Sequence, residues 1–178
     1  MKRLMRRIVG ASAIAGVSVL VLCLLAYAAC ARINNTKSIS VGLYWMTRDP
    51  VEKGAYVIFC PPQADVFNEA KKRGYIGAGF CPGGYGYMMK RVLAAKNDVI
   101  TINDAGVRVN GDLLPLSKPI KADKAGRPLS RFQTDRFVLG SSDLLLMGDV
   151  SAKSFDGRYF GTIDRSQIKG VIRPVITW

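Results

Sequence analysis

The chain has 178 residues, of which 49% are hydrophobic, and it contains no histidine. This length accommodates one catalytic domain and a short targeting segment, and the apolar content excludes a globally disordered chain. The absence of histidine excludes Ser-His-Asp and Cys-His catalysis and removes the commonest zinc ligand, so proton transfer must rest on Asp, Glu, Lys, Tyr or Cys.

The formal net charge is +13, and Lys2, Arg3, Arg6 and Arg7 supply four of the positive charges. The remaining basic residues are scattered along the chain and form no basic stripe on a helix. This distribution does not favour a nucleic-acid partner. A DNA-contacting protein is the alternative, and it would show steep salt-dependent binding to DNA.

The first predicted element is the uncharged run at residues 8–31. A helix of this length can cross a bilayer core of about 30 Å. The basic start keeps the amino terminus in the cytoplasm and places residues 32–178 in the periplasm. A secretory signal cleaved after Ala26-Tyr27-Ala28 is the alternative, but the apolar run exceeds the roughly 7–15 residues of a signal core. We therefore expect residues 1–31 to form a retained inner-membrane anchor.

The rest of the chain predicts mostly strands, with one sizeable helix at residues 66–73. Asn110-Gly111 separates two extended segments and is typical of a two-residue β-hairpin turn. The predicted strands cover residues 55–59, 99–102, 107–109, 112–114, 136–139, 143–147 and 168–177. The fold class is therefore mainly β.

An insertion at about residues 61–84 is bounded by two similar pieces, Phe59-Cys60-Pro61 and Phe80-Cys81-Pro82. In an oxidising compartment Cys60 and Cys81 are natural disulfide partners that would close the insertion at its base. Two free buried thiols are the alternative. Gly83-Gly84-Tyr85-Gly86 lacks the strand-loop-helix context of a phosphate-binding loop, so we expect neither a nucleotide cofactor nor a metal.

Two segments suggest nucleophilic chemistry. Ser38 follows the apolar run closely, where a hydroxyl group is suited to cleaving a peptide bond just outside the membrane. Strand alternation over residues 87–92 places Lys90 on the same face as Met88 and Val92. Burial there would lower the lysine pKa, as a Ser/Lys dyad requires at neutral pH. An unburied lysine on an ordinary strand is the alternative.

A third segment is the apolar strand that ends in Met147-Gly148-Asp149, followed by a polar loop with Ser154, Asp156 and Arg158. These residues either frame a site, with Asp156 holding Arg158, or serve only as turn residues and a local ion pair.

In this order, the segments resemble the signal peptidase I family. The matching residues are Ser38, Lys90-Arg91, Met147-Gly148-Asp149, Ser154-x-Asp156-x-Arg158-x-x-Gly161 and Ile168-Lys169-Gly170. Within the family the chain is similar to the TraF-type peptidases of conjugative plasmids. That resemblance is carried by the Asn34-x-Thr36-x-Ser38 spacing, by Gly42-Leu43-Tyr44-Trp45, by the insertion with Cys60 and Cys81, and by residues 171–178.

The resemblance implies a signal-peptidase-like β domain with Ser38 as nucleophile and Lys90 as general base. It also implies an oxyanion role for Thr36 and supporting roles for Asp149, Asp156 and Arg158. The implied substrate is a pilin precursor, which is cleaved and is cyclised when a substrate amine attacks the acyl-enzyme. A general signal peptidase and a non-enzymatic tethered component of a secretion apparatus are the alternatives.

Two positions depart from the family pattern. Ser40 stands where the family has proline, which removes a backbone restraint and makes Ser40 the alternative nucleophile. Val150 stands where asparagine is usual, so the contribution of Asp149 is less firmly implied than the dyad.

Overall fold

The computed structural model describes residues 2–28 and 30–178. It divides into two compact units, Met1–Arg32 and Ile33–Trp178. The first contains helix α1, Lys2–Ala28. The stretch Met5–Leu25 has a mean hydropathy of 2.6 and is not buried, so by length and composition it is able to cross a membrane.

The second unit is mainly β, as the sequence predicts. The seven-stranded sheet has the order β1-β2-β12-β3-β5-β10-β11, and the four-stranded sheet has the order β8-β7-β6-β9. The strands are β1 Ala31–Asn34, β2 Gly42–Thr47, β3 Tyr56–Phe59, β4 Ala78–Cys81, β5 Met88–Ala94, β6 Val99–Asn103, β7 Gly106–Val109, β8 Asp112–Leu113, β9 Thr134–Val138, β10 Asp143–Met147, β11 Ile163–Asp164 and β12 Ile168–Thr177. The helices after α1 are α2 Asp65–Lys72 and α3 Gly157–Phe160, with 3-10 turns at Pro82–Gly84 and Arg165–Gln167.

Strand β5 lies inside the larger sheet, between β3 and β10. Val57 pairs with Lys90 on one side, and Met147 pairs with Arg91 on the other. The strand alternates between buried and partly buried residues. Lys90 is consequently held on the buried face between Met88 and Val92, which confirms the predicted alternation.

The smaller sheet contains the predicted hairpin. Strands β7 and β8 pair across Asn110-Gly111, whose φ angles are 54° and 95°. Positive φ at both central residues is what the turn favoured by Asn-Gly requires. Ile100 and Val107 are fully buried and belong to the apolar cluster of this sheet.

The insertion is closed at its base by a Cys60–Cys81 disulfide with a Cα–Cα distance of 5.4 Å. This confirms the predicted pairing, and the alternative of two free thiols is wrong. The predicted helix at residues 66–73 is present as α2, one residue earlier at each end. Its buried Phe67 and Ala70 pack into the main core, so the insertion is an integral part of the domain.

Several short elements were not predicted. Strand β2 reads GLYWMT and has no alternating polarity in its first four residues, so only its long pairing with β12 defines it as a strand. Helix α3 has four residues, too few to show a helical period. By contrast, the strand predicted at residues 136–139 is present as β9, which begins two residues earlier and pairs with β6.

Candidate active site

The loop that carries Ser38 connects β1 to β2 and is organised by Asn34, which is 4% exposed. The Asn34 amide nitrogen, which has two N–H groups, lies within hydrogen-bond distance of three carbonyl oxygens that share them: Thr36 at 2.8 Å, Ile39 at 3.0 Å and Ser40 at 2.9 Å. Its oxygen accepts from the Thr36 N–H at 3.2 Å and hydroxyl at 2.9 Å. One buried side chain therefore fixes the loop on both sides of Ser38. The sequence pattern predicts only the spacing of Asn34 from Thr36 and Ser38, not these contacts.

The backbone at Ser38 is held by hydrogen bonds from the segment that follows β10. Its carbonyl oxygen accepts from the N–H of Asp149 at 3.0 Å and from that of Val150 at 3.4 Å. The next residue, Ile39, is fully buried in a cluster with Tyr44. Because both neighbours of the Ser38 peptide are fixed, its hydroxyl has a defined position.

Lys90 meets Ser38 directly, with Nζ donating to Oγ at 2.6 Å. The lysine is 3% exposed. Burial lowers the Lys90 pKa from 10.5 to about 8; the nearby Asp156 carboxylate opposes this change and the Arg158 guanidinium adds to it. A substantial neutral fraction at mildly alkaline pH would let this amine accept a proton from Ser38.

Ser154 is a third group beside Ser38 and Lys90; it belongs to the Ser-x-Asp-x-Arg motif but was not predicted as a site residue. Its hydroxyl donates to Ser38 Oγ at 3.2 Å, and the residue is 5% exposed. A Cβ atom at Gly148 would lie 2.6 Å from Ser154 Cβ and 2.8 Å from the Ser38 carbonyl oxygen. Glycine is thus needed at position 148 for these two serines to meet. The signal was present in the Ser-x-Asp-x-Arg order, but the approach itself depends on long-range packing.

Asp156 and Arg158 form an ion pair with both side chains fully buried. Arg158 Nε and Nη2 each donate to the carboxylate at 2.8 Å. The remaining guanidinium N–H groups donate to backbone carbonyls of Leu116, Ala152 and Ser154 at 2.8–2.9 Å. Asp156 also accepts from the Gly148 N–H at 3.0 Å. The pair joins the loop between β10 and α3 to the loop after β8, and it makes no hydrogen bond to Ser38.

The Asp149 side chain contacts residues of strands β3 and β5. Its Oδ2 accepts from the Tyr56 hydroxyl at 2.7 Å and from Arg91 Nη1 at 3.4 Å. Its Oδ1 is buried and has no hydrogen-bond partner among the residues that the structure describes. Burial, together with the bond to Asp149, raises the Tyr56 pKa to about 12, so this phenol stays protonated and continues to donate.

Thr36 and Ser40 occupy different positions in the loop. Thr36 lines the cavity beside Ser38, and its hydroxyl donates to Asn34. An oxyanion role requires that hydroxyl to rotate away from Asn34. The Ser40 carbonyl accepts from the Tyr44 hydroxyl at 2.7 Å. The lysine contacts Ser38 and not Ser40, which favours Ser38 of the two serines.

A cavity of about 640 Å³ opens beside Ser38 and Lys90. Its walls are residues 33–38, 74–78, 86–90, Lys124 and 153–155. A volume of this size accommodates several residues of an extended peptide. Over residues 2–28 and 30–178 the structure contains no cluster of three or more carboxylate or cysteine side chains that could hold a metal ion.

The family model described as "Signal peptidase, peptidase S26" matches residues 1–178. The chain belongs to the signal peptidase family, peptidase S26. This family member is 69% identical over 178 residues, all of both chains, to a protein of Escherichia coli named plasmid transfer protein TraF. It is 36% identical over 149 residues to a conjugal transfer protein TraF of Agrobacterium fabrum, covering 83% of this chain and 82% of that protein.

Among solved structures, a signal peptidase I from Enterococcus faecalis V583 aligns with a TM-score of 0.41 and 15% identity. The alignment covers 71% of this chain and 100% of that chain. Membership of the family establishes a peptidase, and a peptidase acts on a protein substrate.

Proposed function

We propose that the chain is a membrane-anchored serine endopeptidase in which Ser38 is the nucleophile and Lys90 the general base. The observation that carries this proposal is the 2.6 Å contact between Lys90 Nζ and Ser38 Oγ, made by a lysine that is 3% exposed. Residues 1–31 act as the inner-membrane anchor and residues 32–178 as the periplasmic protease domain.

In the reaction, neutral Lys90 removes the hydroxyl proton as Ser38 Oγ attacks the scissile carbonyl. The Ser38 N–H and the Thr36 hydroxyl, once rotated from Asn34, donate to the oxyanion. One such donor contributes roughly 3–4 kcal/mol to transition-state stabilisation. Protonated Lys90 then gives its proton to the leaving amine, which leaves an ester between Ser38 and the substrate.

Ser154, Asp156 and Arg158 support this dyad in different ways. Ser154 donates to Ser38 Oγ and so orients the nucleophile. Asp156 and Arg158 hold the loop that carries Ser154, since Arg158 binds the Ser154 carbonyl oxygen. Asp149 fixes the Ser38 carbonyl oxygen through its backbone N–H.

The substrate we propose is the pilin precursor of a plasmid conjugation system. Support comes from the relatives named plasmid transfer or conjugal transfer protein TraF, at 69% and 36% identity. Water releases a linear product from the acyl-enzyme. An amine of the same substrate chain instead forms an amide bond and expels Ser38 as the free alcohol, giving a cyclic product.

The test is mass spectrometry of the pilin precursor encoded with this protein, co-expressed with the full-length enzyme. Wild type and Ser40→Ala should process it, whereas Ser38→Ala and Lys90→Ala should not. A product lighter by one water than the linear cleaved chain would identify cyclisation. Full processing by Ser38→Ala would reject the dyad. Normal plasmid transfer with both Ser38→Ala and Lys90→Ala would favour a non-enzymatic role.

A further inference from the structure

The charge of the catalytic cleft is of one sign. In the part of the chain that the structure describes, the charged residues lining the 640 Å³ cavity are Lys37, Lys90, Lys124 and Lys153. None of the described lining residues is an aspartate or glutamate. Lys90 is buried against Ser38, but the other three lysines are exposed. The cleft therefore presents a positive potential to any ligand that enters it.

These three exposed lysines have no internal partner that would cancel their charge. Among residues 2–28 and 30–178, no ion pair or side-chain hydrogen bond involves the ammonium groups of Lys37, Lys124 or Lys153. The carboxylate next to Lys124 in sequence is that of Asp123, and it is already engaged by the Tyr75 hydroxyl and by Arg127 Nε. The three ammonium groups are thus available to an external anion.

Two of these lysines follow the reacting groups closely. Lys37 directly precedes Ser38, and Lys153 directly precedes Ser154. The hydroxyl groups of those two serines are 3.2 Å apart. The backbone at each lysine therefore lies beside the reaction centre, and the flexible lysine stems can follow a bound peptide along the cleft.

The neighbouring surface favours a peptide as the occupant. Lys124 and Lys153 also border a second cavity of about 270 Å³, whose walls include Tyr75, Phe155 and Tyr159. The two cavities share Tyr75, Phe155 and both lysines as lining residues. Aromatic walls beside a pair of lysines match a bulky apolar side chain next to a carboxylate. A small inorganic anion would leave those walls unused.

We propose that the cleft selects its peptide substrate by a carboxylate that binds Lys37, Lys124 and Lys153. The carboxylate comes from an acidic side chain or from the carboxyl terminus of the substrate. This inference rests on the proposed endopeptidase function and adds a recognition element to it. Because the lysines are exposed, each contact is weak, and the set should change kcat/KM about tenfold.

The test uses full-length enzyme in detergent micelles and a fluorogenic peptide with alanines beside the scissile bond. Glu is placed at each flanking position in turn and compared with Gln, and the terminal carboxylate is compared with an amide. We expect one of these replacements to lower kcat/KM about tenfold at low salt. The difference should shrink at roughly 0.5 M salt because screening weakens exposed charge pairs. The position that responds identifies the side chain or the terminus as the source.

Variants connect the effect to the cleft. Lys37→Gln, Lys124→Gln and Lys153→Gln should each reduce the preference for the carboxylate, whereas the control Lys121→Gln should keep it. Lys121 is exposed in the same loop as Lys124 but does not line the cavity. Equal cleavage of all peptide pairs by wild type would overturn the inference. So would variants that retain the preference but lose binding to phosphatidylglycerol vesicles, because the lysines would then serve a lipid surface.

Binding to the Ser38→Ala protein separates this inference from the proposed function. Fluorescence anisotropy should show about tenfold tighter binding of the carboxylate peptide than of its neutral partner. If the wild type cleaves both peptides equally and binding does not discriminate, the endopeptidase stands and the inference fails. If binding discriminates but the wild type cleaves neither peptide, the recognition stands and the endopeptidase fails.

Discussion

Replacing Lys90 by methionine gives a direct measure of what burying this amine costs the fold. Methionine has a similar length, carries no charge and should pack between Met88 and Val92. Lys90 has a pKa of about 8 in the folded protein, against an ordinary value of 10.5. At about 1.4 kcal/mol per pKa unit, this difference corresponds to roughly 3 kcal/mol of unfolding free energy.

The sign of the pH dependence follows from proton binding. Between pH 8 and 10.5 the unfolded chain holds the Lys90 proton more tightly than the folded chain does. The stability contributed by this residue therefore rises with pH across that window, and its cost is fully present below pH 8. At neutral pH the Lys90 pKa shift should make the unfolding free energy of Lys90→Met roughly 3 kcal/mol higher than that of wild type. This contribution should vanish above pH 10.5, where Lys90 is neutral in both the folded and the unfolded chain.

The assay is thermal unfolding of full-length wild type and Lys90→Met in the same detergent, followed by tryptophan fluorescence from pH 6.5 to 11. A difference of that size corresponds to roughly 6–12 °C in Tm for a domain of this length. Loss of the hydrogen bond to Ser38 subtracts a constant of about 1 kcal/mol, which does not alter the change with pH. Lys169→Met is the matched control, since Lys169 is an exposed strand lysine. A Tm difference that stays constant from pH 7 to 11 would show that burial does not perturb the Lys90 pKa.

Three further predictions follow from the same geometry. In the peptidase assay, kcat/KM should rise with pH and level off above about 8, because only neutral Lys90 accepts the proton; a plateau that begins below pH 6 would contradict this. The Cys60→Ala/Cys81→Ala protein should lose roughly 3 kcal/mol of unfolding free energy in the chain-entropy model, measured by urea unfolding against wild type with the disulfide intact; an unchanged midpoint would show that the insertion needs no closure. Gly148→Ala should lower kcat at least tenfold, because the new methyl group displaces Ser154; normal kcat would remove Ser154 from the site.

The fold was readable where the local pattern agrees with the tertiary setting. The buried face of strand β5 was predicted from period-two alternation alone. The prediction succeeded because β3 and β10 flank the strand in the sheet, so alternate side chains point into the core. The Asn110-Gly111 hairpin was readable for a local reason, the positive φ at both residues. The Cys60–Cys81 bridge was readable because two similar pieces bound one insertion.

The site was readable only in part. The order of motifs predicted Ser38 and Lys90 as the dyad, but it did not predict that the Asn34 amide would contact three carbonyl groups of the same loop. Those bonds exist only after β1 and β2 have positioned both ends of the loop. Ser154 was similarly hidden, since its approach to Ser38 depends on the missing side chain at Gly148. A fully buried Arg158 also runs against the usual surface position of arginine.

Burying Arg158 creates an electrostatic problem that Asp156 solves for the dyad. A lone buried guanidinium would be costly, and a lone buried carboxylate would pull the Lys90 pKa upward. Together the two charges act on Lys90 in opposite directions, so burial is left as the largest influence on its pKa. The pair can therefore bind the Gly148 N–H and the carbonyl oxygens of Ala152 and Ser154 without raising the Lys90 pKa back to its ordinary value. Substituting either Asp156 or Arg158 alone should therefore lower the stability of the Ser154 loop and also shift the pH at which kcat/KM levels off, because the Lys90 pKa changes. Loss of stability with an unchanged pH profile would mean that the pair only supports the fold.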